Sequence, residues 1–166
     1  MTTSIAIIGN SHRNVGAAMA GDLALGGHDV RLALEDDETE ILDVVREAGG
    51  VALNVAPDVT LSKRNGVGVP NILTDDPVEA AVGADLVVLD VEAADVESRA
   101  AKIIPHLENG QVLYVNTHGY WPAPALREAG KEGVTVIEGM APNLSARRAG
   151  AEGSTYFLRR DVPIAA

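Results

Sequence analysis

The sequence contains no cysteine. Disulfides and thiolate metal sites are therefore excluded. Aromatic residues are almost as scarce, with one Trp, one Phe and three Tyr making 3% of the chain. A platform that stacks nucleic-acid bases needs more of them. Basic residues are outnumbered: 13 Lys and Arg stand against 24 Asp and Glu, for a formal net charge of −11. That balance argues against nucleic acid held on a broad basic surface. It leaves room for a small anionic ligand, which needs only local donors. No apolar run approaches the roughly 20 residues that span a bilayer. The start is polar and turns into a strand within a few residues, without the pattern of a signal peptide. His28 falls in a turn and His106 beside Pro105 at a helix end, so no metal site is expected. The expectation is a cytoplasmic protein with neither nucleic acid nor membrane as partner.

What is present is a chain of 166 residues, 46% of them hydrophobic, enough for one globular domain over residues 1–166. Its organising stretch is SIAIIGNSHRNVGAAMAGD, Ser4 to Asp22. Ile5 to Ile8 read as a buried strand, Gly9 as a tight turn, Asn10 to Asn14 as a polar loop, and Val15 as the start of a helix. That helix opens on Gly16, Ala17, Ala18, Ala20 and Gly21. Small residues there let a helix lie close on a strand and aim its free N–H groups and partial positive charge at a phosphate.

Further on, Val15, Met19 and Leu23 predict an apolar stripe on the first helix, ended by Gly26 and Gly27. DVRLAL, Asp29 to Leu34, alternates as a strand. Glu35 to Glu40 suit a helix start whose buried face is Ile41, Val44, Val45 and Ala48, and Gly49 and Gly50 stop that helix. Val51 to Pro70 predict a short strand or hairpin with an exposed loop. Asn71 to Thr74 read as a strand, and Asp75 or Asp76 as a cap before Pro77. Ala84 to Val91 form the most apolar strand and are expected at the sheet centre. A helix face follows in Val96, Ala100, Ile103, Ile104 and Leu107, then a turn at Asn109-Gly110 and a strand from Gln111 to Val115. Pro122 to Ala129 predict a helix, Val134 to Glu138 a strand, and Ser154 to Leu158 a final edge strand. This alternation implies an α/β fold, a single doubly wound Rossmann-type domain with a mostly parallel sheet and helices on both faces. Ligands on such sheets sit at the carboxyl ends of the strands.

The usual dinucleotide fingerprint is G-x-G-x-x-G after a strand. Here Gly9 and Gly16 frame a loop two residues longer, with Ser11 where the middle glycine might stand. Glu35 lies 19 positions beyond Gly16, close to the spacing of the acid that accepts from an adenosine ribose diol; it also suits a cap for the following helix. Arg13 beside His12 fits a pyrophosphate, a ribose 2′-phosphate, or a solvated loop pair. Five acids between Glu35 and Glu40 would repel a 2′-phosphate, which favours NAD over NADP. His118, with Asn116, Thr117 and Tyr120, is a candidate for the reactive end of a cofactor, as general acid or base, or an ordinary loop residue. Arg147 and Arg148 are undecided between acid binding and surface.

The stretches IAIIGN, NVGAAMAGDLALGGHDVRL, ILTDDPVEAAVGADLVVLDVEA, IIPHLENGQVLYVNTHG and VIEGMAPNLSARR together resemble the amino-terminal domain of the opine dehydrogenases, within the group that includes ketopantoate reductase. The resemblance implies an NAD(P)-dependent oxidoreductase that reduces the imine of a 2-oxo acid and an amine. It implies cofactor contacts from Gly9, Asn10, Ser11, His12, Arg13, Asn14, Val15, Gly16 and Glu35. It also brings Val91 and Glu92 to the nicotinamide, at the turn where the family has Val-Pro-Ala. The family's Asn-Pro-Gly turn is Asn116, Thr117, His118, Gly119 here. Family members continue into a helical domain that supplies the catalytic histidine. A homodimer or a helical catalytic subunit is therefore expected to complete the site. The other reading is a non-catalytic nucleotide-binding or partner-binding Rossmann module.

Overall fold

The structure is a computed structural model. It describes residues 2–9, 15–34, 39–55, 62, 64–117, 132–139, 144–148, 154–158 and 164–165. The strands are β1 (Ser4–Gly9), β2 (Asp29–Leu34), β3 (Val51–Val55), β4 (Gly66–Gly68), β5 (Ile72–Thr74), β6 (Leu86–Asp90), β7 (Val112–Val115), β8 (Thr135–Gly139), β9 (Leu144–Arg148), β10 (Ser154–Leu158) and β11 (Ile164–Ala165). The helices are α1 (Val15–Leu25), α2 (Thr39–Glu47), α3 (Pro77–Ala81) and α4 (Val96–Ile103), the last running on into a 3-10 turn over Ile104–His106.

Seven strands form the main sheet in the order β11-β8-β7-β6-β1-β2-β5. Every pairing in it is parallel except that of β11 on β8. The most apolar strand, β6, is therefore the middle one, as expected. Successive residues of β1 point to opposite faces, and each face meets its own helices. Ile5 and Ile7 pack with Val15, Ala18 and Met19 of α1 and with Leu42 and Val45 of α2. Ala6 and Ile8 pack with Ala80 and Ala81 of α3 and with Val96, Ala100 and Ile103 of α4. This is the doubly wound arrangement, with layers on both faces of a parallel sheet.

Local chemistry sets the boundaries. Helix α1 ends where the Gly26 N–H donates to Asp22 O at 2.9 Å and Gly27 takes φ +84°, a left-handed conformation open to glycine. Helix α3 begins at Asp76, whose Oδ1 accepts from the Val78 N–H at 2.8 Å, with Pro77 at the first turn. Its far end is held by buried Gln111, whose Nε2 donates to the carbonyls of Ala81 at 2.9 Å and Ala84 at 2.6 Å.

Three expectations are corrected. The buried face of α2 centres on Leu42, 1% exposed, and Val45, while Ala48 is exposed. Helix α1 has no single stripe: all seven residues from Val15 to Gly21 are buried. The cause is a second sheet, in the order β4-β3-β10-β9, which packs on the side of α1 away from the first. A methyl at Gly21 would touch Val51 Cβ at 3.0 Å and Leu53 Cγ at 3.1 Å. The helix is buried all round because a sheet lies on each side. Third, β10 is neither final nor an edge. It pairs in parallel with β3 and antiparallel with β9, and β11 follows it. Alternation marks a strand but does not name its neighbours. The helix predicted over Pro122 to Ala129 lies outside the described residues.

Candidate functional site

Strand order creates the site. From β1 the chain steps outward to β2 on one side, and later returns to place β6 on the other. The crevice above a reversal of this kind is where open α/β sheets hold ligands. At its floor the carboxyl ends of three strands are level: Gly9 pairs with Leu34 of β2 and with Asp90 of β6.

Helix α1 starts directly over this floor. A Cβ at Gly16 would lie 3.2 Å from Gly9 Cα, 3.3 Å from Asp90 Oδ2 and 3.4 Å from Ile7 Cγ2. A Cβ at Gly9 would lie 3.3 Å from Leu34 Cδ2 and 3.7 Å from Gly16 Cα. Two glycines thus let helix and strand backbones approach more closely than side chains permit, which brings the amino end of α1 down to the strand end. Val15, at the first position of α1, is 4% exposed. Its side chain anchors the helix start in the core rather than facing the crevice.

Beside the glycines lies a buried polar chain. Asp90 ends β6 and is 7% exposed; Asn116 follows β7 and is 1% exposed. Asn116 Nδ2 donates to Asp90 Oδ1 at 2.8 Å, and the Tyr114 hydroxyl donates to Asn116 Oδ1 at 3.3 Å. The Asn116 N–H donates in turn to Leu89 O at 2.9 Å, which locks the end of β7 to that of β6. Burial, and secondly the negative charge of Asp90, push the Tyr114 phenol above its ordinary pKa of 10.0. The side chains that carry this chain leave the sheet on the α1 side, as Val88 and Tyr114 do.

Of the residues predicted for the site, Gly9, Val15 and Gly16 come together at the β1–α1 junction. Val91 is 7% exposed and packs into the core on the α3 and α4 side, and Glu92 next to it is half-buried. Asn10, Ser11, His12, Arg13, Asn14, Glu35 and His118 lie outside the described residues. Asn116, grouped with His118 from the sequence, is turned inward to Asp90. Asp90 and Tyr114 were not foreseen. The available signal was a carboxylate ending an otherwise apolar strand, with an amide one residue beyond the Leu89–Val115 pair. Among the described residues no group of three or more His, Cys, Asp or Glu is placed to hold a metal ion. No helix among them is long and apolar enough to cross a membrane.

The fold is shared with octopine dehydrogenase. Its structure with NADH and L-arginine superimposes with a TM-score of 0.81 at 18% identity, over 98% of this chain and 41% of that one. Yersinopine dehydrogenase with NADP+ bound gives 0.73 at 16% identity, over 98% and 41%. A PanE/ApbA family ketopantoate reductase from Ralstonia eutropha JMP134 gives 0.60 at 24% identity, over 93% and 46%. The chain therefore spans about two-fifths of the length of the two opine-forming enzymes. At these identities the likeness is one of fold, and it agrees with the resemblance read from the sequence. No family model and no curated protein matches the sequence.

Proposed function

We propose that this chain is the NAD(P)-binding domain of an opine-dehydrogenase-like oxidoreductase. The observation that carries the reading is the approach of Gly16 to Gly9, at a switch point between β1 and β6. It fits a dinucleotide in a specific way. The amino end of α1 stands over the strand end without intervening side chains, where a diphosphate gains both N–H donors and the helix dipole. In this reading Gly9 to Gly16 hold the diphosphate, with Asn10, Ser11, His12, Arg13 and Asn14 around it. Glu35, directly after β2, accepts from the adenosine ribose. Val91 and Glu92 border the nicotinamide side, and His118 stands towards the reactive end. The fold likeness to enzymes solved with NADH and with NADP+ supports a dinucleotide of either kind. The five acids of Glu35 to Glu40 favour NAD.

The reaction proposed is hydride transfer from NAD(P)H to the imine of a 2-oxo acid and an amine. The bound dinucleotide supplies the hydride; this chain's residues hold and orient it. A second copy of the chain, or a helical catalytic subunit, supplies the rest of the substrate site.

Calorimetric titration of NADH against NADPH tests the cofactor, with NADH expected to bind more tightly. Glu35→Ala is expected to weaken NADH by about 1.5–3 kcal/mol at most, the worth of a charge-assisted hydrogen bond. Equal or tighter NADPH binding would overturn the role given to Glu35. Light scattering across dilution, with a stopped-flow assay of NADH oxidation on pyruvate and mixed amino acids, tests the partner. A dilute monomer turning over at roughly 1 per second or faster would show that no partner is needed.

A further inference from the structure

Asp90 is an unusual residue for its place. The rest of β6 is Leu86, Val87, Val88 and Leu89, and the strand lies in the middle of the sheet. A buried carboxylate at such a point is costly unless it is held. It is held by the Asn116 amide at 2.8 Å, and that amide is itself oriented by the Tyr114 hydroxyl. Its second oxygen faces the first turn of α1, 3.3 Å from where a Gly16 Cβ would sit. The partial positive charge of a helix amino end favours an anion there. The protein thus keeps an anion of its own beside the place where the dinucleotide reading puts a diphosphate.

We propose that Asp90 is a specificity-determining residue of the dinucleotide site, an internal carboxylate that weakens binding in proportion to the negative charge a ligand brings to the α1–Gly9 junction. The proposal rests on the dinucleotide reading. The carboxylate and the diphosphate share one helix end, so each reduces what the helix gives the other. Two like charges about 8 Å apart at an effective dielectric of about 20 shift an equilibrium by one to two powers of ten. Screening brings that towards about tenfold. The helix amino end, the Asn116 amide and the Tyr114 hydroxyl keep Asp90 in place. The consequence is a site that holds dinucleotide loosely enough to release it.

The test is the isosteric Asp90→Asn, titrated with NADH, ADP-ribose and adenosine, together with thermal unfolding of the free protein. The amide still accepts from Asn116, so shape is kept and charge removed. NADH and ADP-ribose are expected to bind about tenfold more tightly and neutral adenosine within about twofold of wild type, while the unfolding temperature falls. A residue that merely braces the strand ends would lose affinity along with stability. Asp90→Ser, smaller and also uncharged, carries the same comparison if the amide variant does not fold. NADH binding unchanged or weakened, or all three ligands tightened equally, would overturn the proposal and leave the dinucleotide reading standing. A folded wild-type protein that binds neither NADH nor NADPH would overturn both.

Discussion

The close approach of α1 to β1 can be tested with a single methyl group. Gly16→Ala places a Cβ 3.2 Å from Gly9 Cα, 3.3 Å from Asp90 Oδ2 and 3.4 Å from Ile7 Cγ2. Carbon atoms in good contact sit about 3.5–4.0 Å apart. The helix start must therefore move outward by a few tenths of an ångström. Overpacking of this kind costs about 1–3 kcal/mol. Alanine returns about 1 kcal/mol in helix propensity over glycine. The net loss is about 0–2 kcal/mol, which for a chain of this size lowers the unfolding temperature by less than about 8 °C. Binding is expected to suffer more, because the shift lifts the N–H donors from the strand end where the diphosphate must meet them. NADH affinity should fall at least about tenfold, or about 1.4 kcal/mol. Calorimetry on both proteins, with scanning of the free forms, separates the two effects. A folded Gly16→Ala protein that binds NADH as tightly as wild type would refute the close-approach reasoning. Gly16→Val is a poorer probe, since its extra methyls strain the core around Ile7 and confuse loss of fold with loss of binding.

Other perturbations follow from the same packing. Asn116→Ala removes the donor to a buried carboxylate and should cost about 1.5–3 kcal/mol in urea unfolding; a loss below about 0.5 kcal/mol would show that Asp90 does not depend on it. Gly68→Ala would put a Cβ 2.1 Å from Gly21 O and 2.6 Å from Gly21 Cα, a collision between two backbones that no rotamer relieves. It should separate the second sheet from α1 and cost more than about 3 kcal/mol, and a wild-type unfolding temperature would contradict the sandwiching of α1. The raised Tyr114 pKa means that the folded state holds this proton more tightly than the unfolded chain. Its contribution is thus fully present below pH 10.0 and is lost as the pH rises through the higher folded value. Tyr114→Phe should flatten that alkaline loss in unfolding measured against pH, and an unchanged profile would assign the loss elsewhere.

Much of this architecture is legible along the chain. Local signals are strong where one residue type answers one local need. Asp76-Pro77 starts α3, Gly26-Gly27 ends α1, and the alternation of Asp29 to Leu34 fixes β2 to the residue. The run of branched aliphatic residues in β6 marks a strand buried on both faces, and hence the centre of a parallel sheet. The strand–glycine–helix junction with its small residues pointed to the β1–α1 crevice as the site. Those features depend on neighbours in sequence. Others depend on what arrives from far away, and only the tertiary structure decided them. The small residues of α1 serve two surfaces because β3, β4, β9 and β10 close over the side that a single sheet would leave to solvent. Strand β10 reads as an edge because pairing on both sides comes from β3 and β9, and hydrogen bonds between strands leave no mark on either sequence alone. Asp90 looks like an acid lost in an apolar run until the register brings Gly9 beside it and Asn116, 26 residues later, supplies its donor. A carboxylate can be buried only where donors converge, and convergence is a property of the folded chain rather than of any segment of it.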